Sequence, residues 1–424
     1  MGRQRQTGGA KRTARTAIHP RSERERRVID NKQKQVRALA LRLRSLNAAT
    51  PDDQVDELFQ ELRELAFAPF GFVSNELRQS IWPVLLGFHG VKTVHVEHEA
   101  HYTRGNAEHR DDQQIEKDIL RSLWHYDVVS NIRESERRAK RRQLTHMINA
   151  VLNQDPELYY YQGYHDVSAV FLLVLGDQLA FHALKAVSGT YQREVMRKSF
   201  AMTMHATRLL FPILEAEDEE LFAHIQQSGV EPFFALPWMI TWFAHELKRF
   251  SDIARIYDVL VLSHPLFVLY LGAAVVLESR QRVLKTECDF GTLHGFLAKL
   301  PRTMDVEKVI AKAAVVFHRI PPKELLAHDQ CSEELRTSMY AQFPFPYQSR
   351  FHPIDQPFLR PKQYQNRKVH FSTDTKGGST GAWQLATVLQ ATAVGLMAVA
   401  LSYYFRHHVQ EWLPVLTSRD TTSE

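Results

Sequence analysis

Cysteine is nearly missing from this chain: Cys288 and Cys331 are the two it has. Two thiols cannot build a disulfide framework or a four-thiolate zinc site, and their spacing suggests no redox pair, so a reducing, cytosol-facing compartment is the default. Glycine and proline are sparse as well, 18 of each in 424 residues, against the roughly 12% that the two together make up in an average chain. That excludes collagen and Pro-rich linkers and disfavours a turn-dense all-β fold. No secretory apolar core follows the first methionine, and Gly2 is followed by Gln6 where myristoylation requires Ser or Thr. Sustained period-two alternation and internal repeats are also missing. What is present is apolar material, 44% of residues, enough to bury one or two sizeable cores.

The net charge of +5 hides an asymmetry. Residues 1–44 carry 14 Lys/Arg against 3 Asp/Glu, a net +11, which leaves −6 for the rest. A mildly acidic body with a basic N-terminal arm is the better description, and nucleic acid is not an expected partner. The arm resembles a mitochondrial transit peptide in composition but lacks its apolar face. Residues 1–49 are therefore expected to be a solvated, flexible arm, with electrostatic contact to an anionic membrane surface as the functional alternative.

Ordered structure is expected from Thr50, where Thr50-Pro51-Asp52-Asp53 offers an N-cap, a proline at the first helical position and an acid at the capping-box position. Val55, Leu58, Phe59, Leu62 and Leu65 then recur at helical spacing, as do apolar residues in Leu144–Leu152, Val167–Val174, Met202–Leu214 and Trp238–Leu247. The fold class is all-α, with a helical body over residues 50–345 and a polar linker over 346–381. Ala382–Phe405 is a run of 24 residues without a formal charge; at 1.5 Å per residue it reaches roughly 36 Å, against a hydrocarbon core of about 30 Å. Trp383, Tyr403 and Tyr404 sit at its ends as interfacial aromatics do, and basic residues from Arg360 to Lys376 precede it. The pattern predicts a C-terminal transmembrane helix that leaves the body cytosolic and sends only residues 406–424 across. Val259–Leu277 is as apolar, but His264-Pro265 breaks it in the middle, so it is assigned to buried helices.

Two constellations could carry chemistry. On a helix through Gln114–Leu123, Ile115, Ile119, Leu120 and Leu123 form the core face, while Asp118 and Arg121 point away from it, three residues apart and able to pair. Alone, that is a solvated ion pair of little energetic consequence. The second is Tyr159-Tyr160-Tyr161-Gln162-Gly163-Tyr164-His165-Asp166, just before an apolar helical run. It sits at a helix N-terminus, where backbone N–H groups suit phosphate oxygens and Gly163 allows close backbone approach. Unaided, ordinary packing is the better explanation.

Taken together, Ile115-x-x-Asp118-x-x-Arg121 and Tyr160-x-Gln162-Gly163 resemble the paired fingerprints of the TBC-domain Rab GTPase-activating proteins. Arg78-Gln-Ser-Ile-Trp82-Pro83 resembles the family's opening Arg-x-x-x-Trp motif, and Leu236-Pro237-Trp238 through Trp242-Phe243-Ala244-His245 to Arg255-Ile256-Tyr257-Asp258 resembles its Trp-rich helix pair. The match spans Asp52–Gln342. It implies a two-lobed helical TBC domain that accelerates GTP hydrolysis on a GTP-bound Rab GTPase: a catalytic activator, not an enzyme with its own substrate turnover. By the resemblance Arg121 is an arginine finger, Asp118 orients it, and Gln162 orients the attacking water. Tyr160 and Gly163 support that loop, and Arg78, Trp82 and Ile115 brace the fold. No cofactor or metal of its own is implied, since the Rab carries GTP and Mg²⁺. Length and tail anchor further resemble a subfamily of endoplasmic-reticulum-to-Golgi traffic, which implies the endoplasmic reticulum membrane, with Golgi membranes as the alternative. The competing readings are a catalytically silent Rab-binding scaffold and a membrane-shaping or lipid-binding protein.

Overall fold

Helical periodicity and capping residues divide the chain into short helices joined by tight turns. In the computed structural model, residues 22–46, 50–87, 109–123, 125–328 and 331–343 are described. The helices are Glu23–Ser45 (α1), Asp52–Phe67 (α2), Asn75–Leu85 (α3), Asp112–Leu120 (α4), Glu134–Leu152 (α5), Tyr164–Leu175 (α6), Asp177–Gly189 (α7), Ala201–Arg208 (α8) and Leu210–Glu217 (α9). They continue with Glu219–Gln227 (α10), Leu236–Ile240 (α11), Phe250–Leu260 (α12), Phe267–Glu278 (α13), Arg280–Lys285 (α14), Phe290–Leu297 (α15), Val306–Arg319 (α16), Pro322–Ala327 (α17) and Glu333–Arg336 (α18). Among the described residues there is no β-strand. All of them fall within a single compact unit, Met1–Val369.

Helix α6 is central because it is apolar nearly all round, and such a helix is stable only when covered on every side. Its neighbours are α3, α4, α5, α7 and α12. Farther along, α13 lies against α16, with Phe267 and Tyr270 packing edge-on to Phe317 at 5.3 and 5.0 Å. The Val259–Leu277 stretch is the end of α12, a turn and most of α13, buried throughout except at His264 and Leu277, which are half-buried. At the turn His264 Nδ1 accepts from the Leu266 N–H at 3.2 Å while Nε2 meets Tyr340 O at 2.8 Å. Burial lowers the His264 pKa to about 4, so the ring is neutral and satisfied. Among the described residues no helix is long and apolar enough to cross a membrane. The expected span 382–405, the linker 346–381 and the tail 406–424 lie outside the described residues.

The flexible arm expected over residues 1–49 is corrected at Glu23–Ser45, which form α1; residues 1–21 lie outside the described residues. Val36, Leu39, Ala40 and Leu43 make a buried helical stripe against α2 and α3. Lys32 is buried too, its Nζ donating to Leu65 O at 2.7 Å, and desolvation together with the nearby Arg255 charge lowers its pKa to about 8. At the start of α2 the expected cap is displaced by one residue: Pro51 is the N-cap and makes no side-chain cap hydrogen bond.

Arg78 and Trp82 in α3 converge on Asp258 in α12. The buried Asp258 carboxylate accepts from Arg78 Nε and Nη2, both at 2.9 Å, from Trp82 Nε1 at 3.0 Å and from the Phe72 N–H at 3.0 Å. Four donors around one carboxylate offset its desolvation, so the hub fastens the two ends of the motif region. Arg78 and Trp82 are thus interior braces.

Candidate functional site

Arg121 stands at the C-cap of α4, where the helix dipole favours a cation. Its Nη2 donates to Asp118 Oδ1 at 2.7 Å and its Nε to Lys117 O at 3.2 Å. Among the described residues Nη1 has no partner, and the side chain is 45% exposed, so the guanidinium is held at one edge and open at the other. Asp118 departs from expectation. It is 1% exposed, not on a solvated face, and besides Arg121 it accepts from Tyr160 OH and Gln114 Nε2, each at 3.0 Å. Leu120, expected in the core, is 65% exposed beside Arg121. Asp118 is buried because the tyrosine loop covers it, whereas Leu120 is the last residue of α4, after which the chain turns and Leu123, at a left-handed φ of 61°, is fully buried as expected.

The segment after Arg121 is clamped from α5. Buried Arg137 donates Nη1 to Leu123 O at 2.7 Å and Nη2 to Val129 O at 3.1 Å, and Arg141 Nη2 reaches Ser122 O at 3.4 Å. Ile115 is fully buried, anchoring the other face of α4.

The tyrosine loop is tied to both ends of α4, which brings together residues forty positions apart. At the N-terminal end, Asp111 Oδ2 accepts from the Tyr160 N–H at 3.2 Å. The Arg110 guanidinium covers the Tyr159 ring at 3.7 Å and donates to Leu158 O. At the C-terminal end, the Tyr160 hydroxyl reaches Asp118. Burial, then the Asp118 charge, pushes the Tyr160 pKa well above its usual 10, so the phenol is always a donor here. Gln162 is half-buried, and its amide has no hydrogen-bond partner among the described residues.

Gly163 is the N-cap of α6, with φ 109°. A Cβ there would meet Thr241 Cγ2 at 2.8 Å; the close approach that demands glycine is to this threonine. Of the N–H groups at this helix end, those of Tyr164 and Asp166 already donate to Tyr161 O and Gly163 O.

The sequence assigned no role to a largely buried cluster one turn on. His165 Nδ1 lies 3.1 Å from Tyr160 OH, and its Nε2 is 3.5 Å from Asp166 Oδ1. Asp166 Oδ2 holds His245 Nδ1 at 3.0 Å. Burial alone would raise the Asp166 pKa, but His165, His245 and His125 outweigh it and hold the carboxyl well below its usual range. For His245 burial works downward, and the hydrogen bond to and charge of Asp166 prevail, raising the pKa above 6.5. His245 gets there because the helix expected over Trp238–Leu247 stops at Ile240: Trp242 and Phe243 adopt left-handed φ of 50° and 63°. The available signal was a His-Asp pair opening an otherwise apolar run, which buried sequence carries only when partnered.

Among the described residues no group of three or more His, Cys, Asp or Glu is arranged to hold a metal ion. A depression of about 630 Å³ beside α4 is lined by His109, Arg110, Asp111, Asp112, Gln114 and Lys117 among others, but not by Arg121, Tyr160 or Gln162. Arg121 is presented outward, an arrangement suited to reaching into another molecule.

A family model for the Rab-GTPase-TBC domain matches residues 75–285. The chain is 33% identical over 287 residues to human TBC1 domain family member 20, covering 66% of this chain and 69% of that protein. It is 30% identical over 254 residues to the GTPase-activating protein gyp10 of Schizosaccharomyces pombe, covering 59% and 66%. Among solved structures, the Chlamydomonas flagellar RabGAP TBC domain aligns with a TM-score of 0.51 at 18% identity, over 69% of this chain and 96% of that one. The Ypt/Rab-GAP domain of Gyp1p aligns with 0.50 at 16%, over 61% and 91%. At such identities the structures speak to the fold alone.

Proposed function

The chain belongs to the Rab-GTPase-TBC domain family, and from that membership we propose that it accelerates GTP hydrolysis by a GTP-bound Rab GTPase, supplying Arg121 and Gln162 in trans. The observation that carries the reading is the half-open guanidinium of Arg121, held by buried Asp118, which the Tyr160 hydroxyl ties to the loop bearing Gln162. Hydrolysis spreads negative charge over the γ-phosphoryl oxygens and needs an oriented water, so catalysis is mostly positioning and electrostatic stabilisation. Arg121 is permanently charged and pre-aimed, so little conformational entropy is lost when it enters the partner's site. The Gln162 amide can donate to a phosphate oxygen and accept from water at once, and it is not engaged elsewhere among the described residues. The nucleotide and Mg²⁺ belong to the partner.

The same reading puts the activator on a membrane. Ala382–Phe405, outside the described residues, is the proposed tail anchor, on the strength of its uncharged apolar run and flanking charges. Residence in the endoplasmic reticulum membrane and action in traffic to the Golgi rest on the resemblance in length and anchor alone.

The test is single-turnover GTP hydrolysis across a panel of Rab proteins. Wild type should stimulate at least one member. Arg121→Ala should lose on the order of 10³-fold or more, about 4 kcal/mol, with the fold intact because the side chain leaves the core. Arg121→Lys should not rescue, because a point charge cannot reproduce the planar fork. Gln162→Ala should lose at least about 100-fold. Near-normal rates in either alanine variant would refute the two-residue mechanism.

A further inference from the structure

We propose that His165 is a positioning residue for Arg121, acting through Tyr160 and Asp118, and that the buried Asp166 and the half-buried His245 stand behind it. This deepens the GTPase-activating reading and relies on it.

The argument is one of hydrogen-bond polarity. Asp118 Oδ1 is occupied by Arg121 Nη2 at 2.7 Å, so its carboxylate can only accept. Tyr160 has a single proton, and Asp118 Oδ2 at 3.0 Å takes it. The contact between Tyr160 OH and His165 Nδ1 at 3.1 Å must then run the other way, with Nδ1–H donating to the phenol oxygen. On its far side His165 presents Nε2 to Asp166 Oδ1 at 3.5 Å, while Asp166 Oδ2 accepts from His245 Nδ1 at 3.0 Å. Along this row the hydrogen bonds from Arg121 to Asp118, from Tyr160 to Asp118 and from His165 Nδ1–H to Tyr160 therefore set one another's direction, while His165 Nε2 approaches Asp166 as an ion-pair contact and not as a hydrogen bond.

The row also returns to the segment that follows Arg121. The His245 ring lies 6.2 Å from that of His125, and His125 Nε2 meets Ala244 O at 3.2 Å. Arg121 thus stands between two points fixed by the same network, Asp118 before it and His125 after it. Four chain segments contribute: α4, the tyrosine loop, the first turn of α6 and the turn after α11. Without the Nδ1–H donor, the Tyr160 oxygen loses the contact that fixes its ring rotation, and the Asp118 carboxylate can swing with its arginine. Misplacing a reacting group by about 1 Å costs on the order of 100-fold in rate, far more than such a shift costs in affinity.

The experiment uses the full 424-residue chain, the Rab it stimulates most, and single-turnover hydrolysis at varied protein concentration. His165→Leu should lower the saturating rate by about 10- to 100-fold and leave the half-saturating concentration within about twofold. His165→Asn, whose amide N–H can stand in for Nδ1–H, should recover to within about threefold of wild type. Tyr160→Phe keeps the ring and removes the link, so adding His165→Leu to it should cost nothing further. A His165→Leu rate within twofold of wild type, equal losses in Leu and Asn accompanied by a lower melting temperature, or additive effects of Tyr160→Phe and His165→Leu would each overturn the proposal. Selective ¹⁵N labelling gives a readout that needs no hydrolysis. His165 should appear with its proton on Nδ1, and His165→Leu should broaden or shift the Arg121 Nε–H signal. If wild type stimulates no Rab at all, the GTPase-activating reading fails by itself, and this signal still decides the link: an Arg121 resonance indifferent to His165→Leu rejects it.

Discussion

Gly163→Ala would strike the fold and the site through the same atom. The position has φ 109°, which costs an L-residue about 1–3 kcal/mol. The new methyl would sit 2.8 Å from Thr241 Cγ2, where carbon atoms ordinarily settle at about 3.5–4.0 Å. Thr241 cannot turn aside cheaply, because it is fully buried and its Oγ1 donates to Pro237 O at 2.7 Å. Overpacking of this kind adds about 1–3 kcal/mol. The sum, about 2–6 kcal/mol, is a large share of a typical domain's stability of about 5–15 kcal/mol. Relief by backbone movement would displace the neighbouring Gln162, so the hydrolysis rate should fall more than the affinity for the Rab. Urea unfolding followed by the fluorescence of the buried Trp82 and Trp238 measures the first effect, and single-turnover phosphate release the second. Thr241→Ser removes the clashing methyl and keeps the hydroxyl, so in a double-mutant cycle it should return the steric part, about 1–3 kcal/mol, and leave the backbone part. Stability of Gly163→Ala within about 0.5 kcal/mol of wild type, or no coupling to Thr241→Ser, would refute the reasoning.

Three further outcomes are expected. Asp258→Ala leaves the buried Arg78 guanidinium and Trp82 Nε1 without their acceptor, and should destabilise by about 3–5 kcal/mol in urea titrations; a loss under about 1 kcal/mol would deny the hub its role. The His245–Asp166 pair should carry a pH signature: the His245 pKa is raised, so its contribution is whole below about pH 6.5 and is lost as pH rises through the folded value. The depressed Asp166 pKa ends the window at the acid side, where stability falls as the carboxylate protonates. The stability difference between wild type and His245→Gln should accordingly shrink above neutrality, and a difference that stays flat from pH 5 to 9 would contradict it. Deleting residues 382–424 should yield a protein as active in solution as the full chain but absent from the membrane pellet; continued sedimentation with membranes after a salt wash would move the anchor elsewhere.

Much of this protein is written locally in its residues. The apolar stripe of α2, the nearly unbroken apolar run of α6 and the proline break at His264-Pro265 fix helices and their ends through backbone geometry and solvent alone, and each is where the pattern puts it. The short motifs around Arg121 and Gln162 were equally visible, as types of residue at a spacing. Charge misled at the N-terminus. Val36, Leu39, Ala40 and Leu43 form a helical stripe inside a strongly basic segment, and because side chains on one helix face act separately from those on another, the stripe governs burial regardless of net charge.

Tertiary structure alone decided what surrounds Arg121. A helical projection assigns Asp118 to the solvent side because it sits beside Arg121, yet a helix has no solvent side until its neighbours are placed. Here the tyrosine loop covers Asp118, and Tyr160 and Gln114 supply the donors that make its burial tolerable. The left-handed residues Leu123, Trp242 and Phe243 are equally opaque, since nothing intrinsic to Leu, Trp or Phe favours positive φ. At Leu123, Arg137 grips the carbonyl; at Trp242 and Phe243, aromatic packing fills the turn. Such conformations persist because long-range contacts outweigh local preference, and that is why sequence could name the arginine while only the fold could aim it.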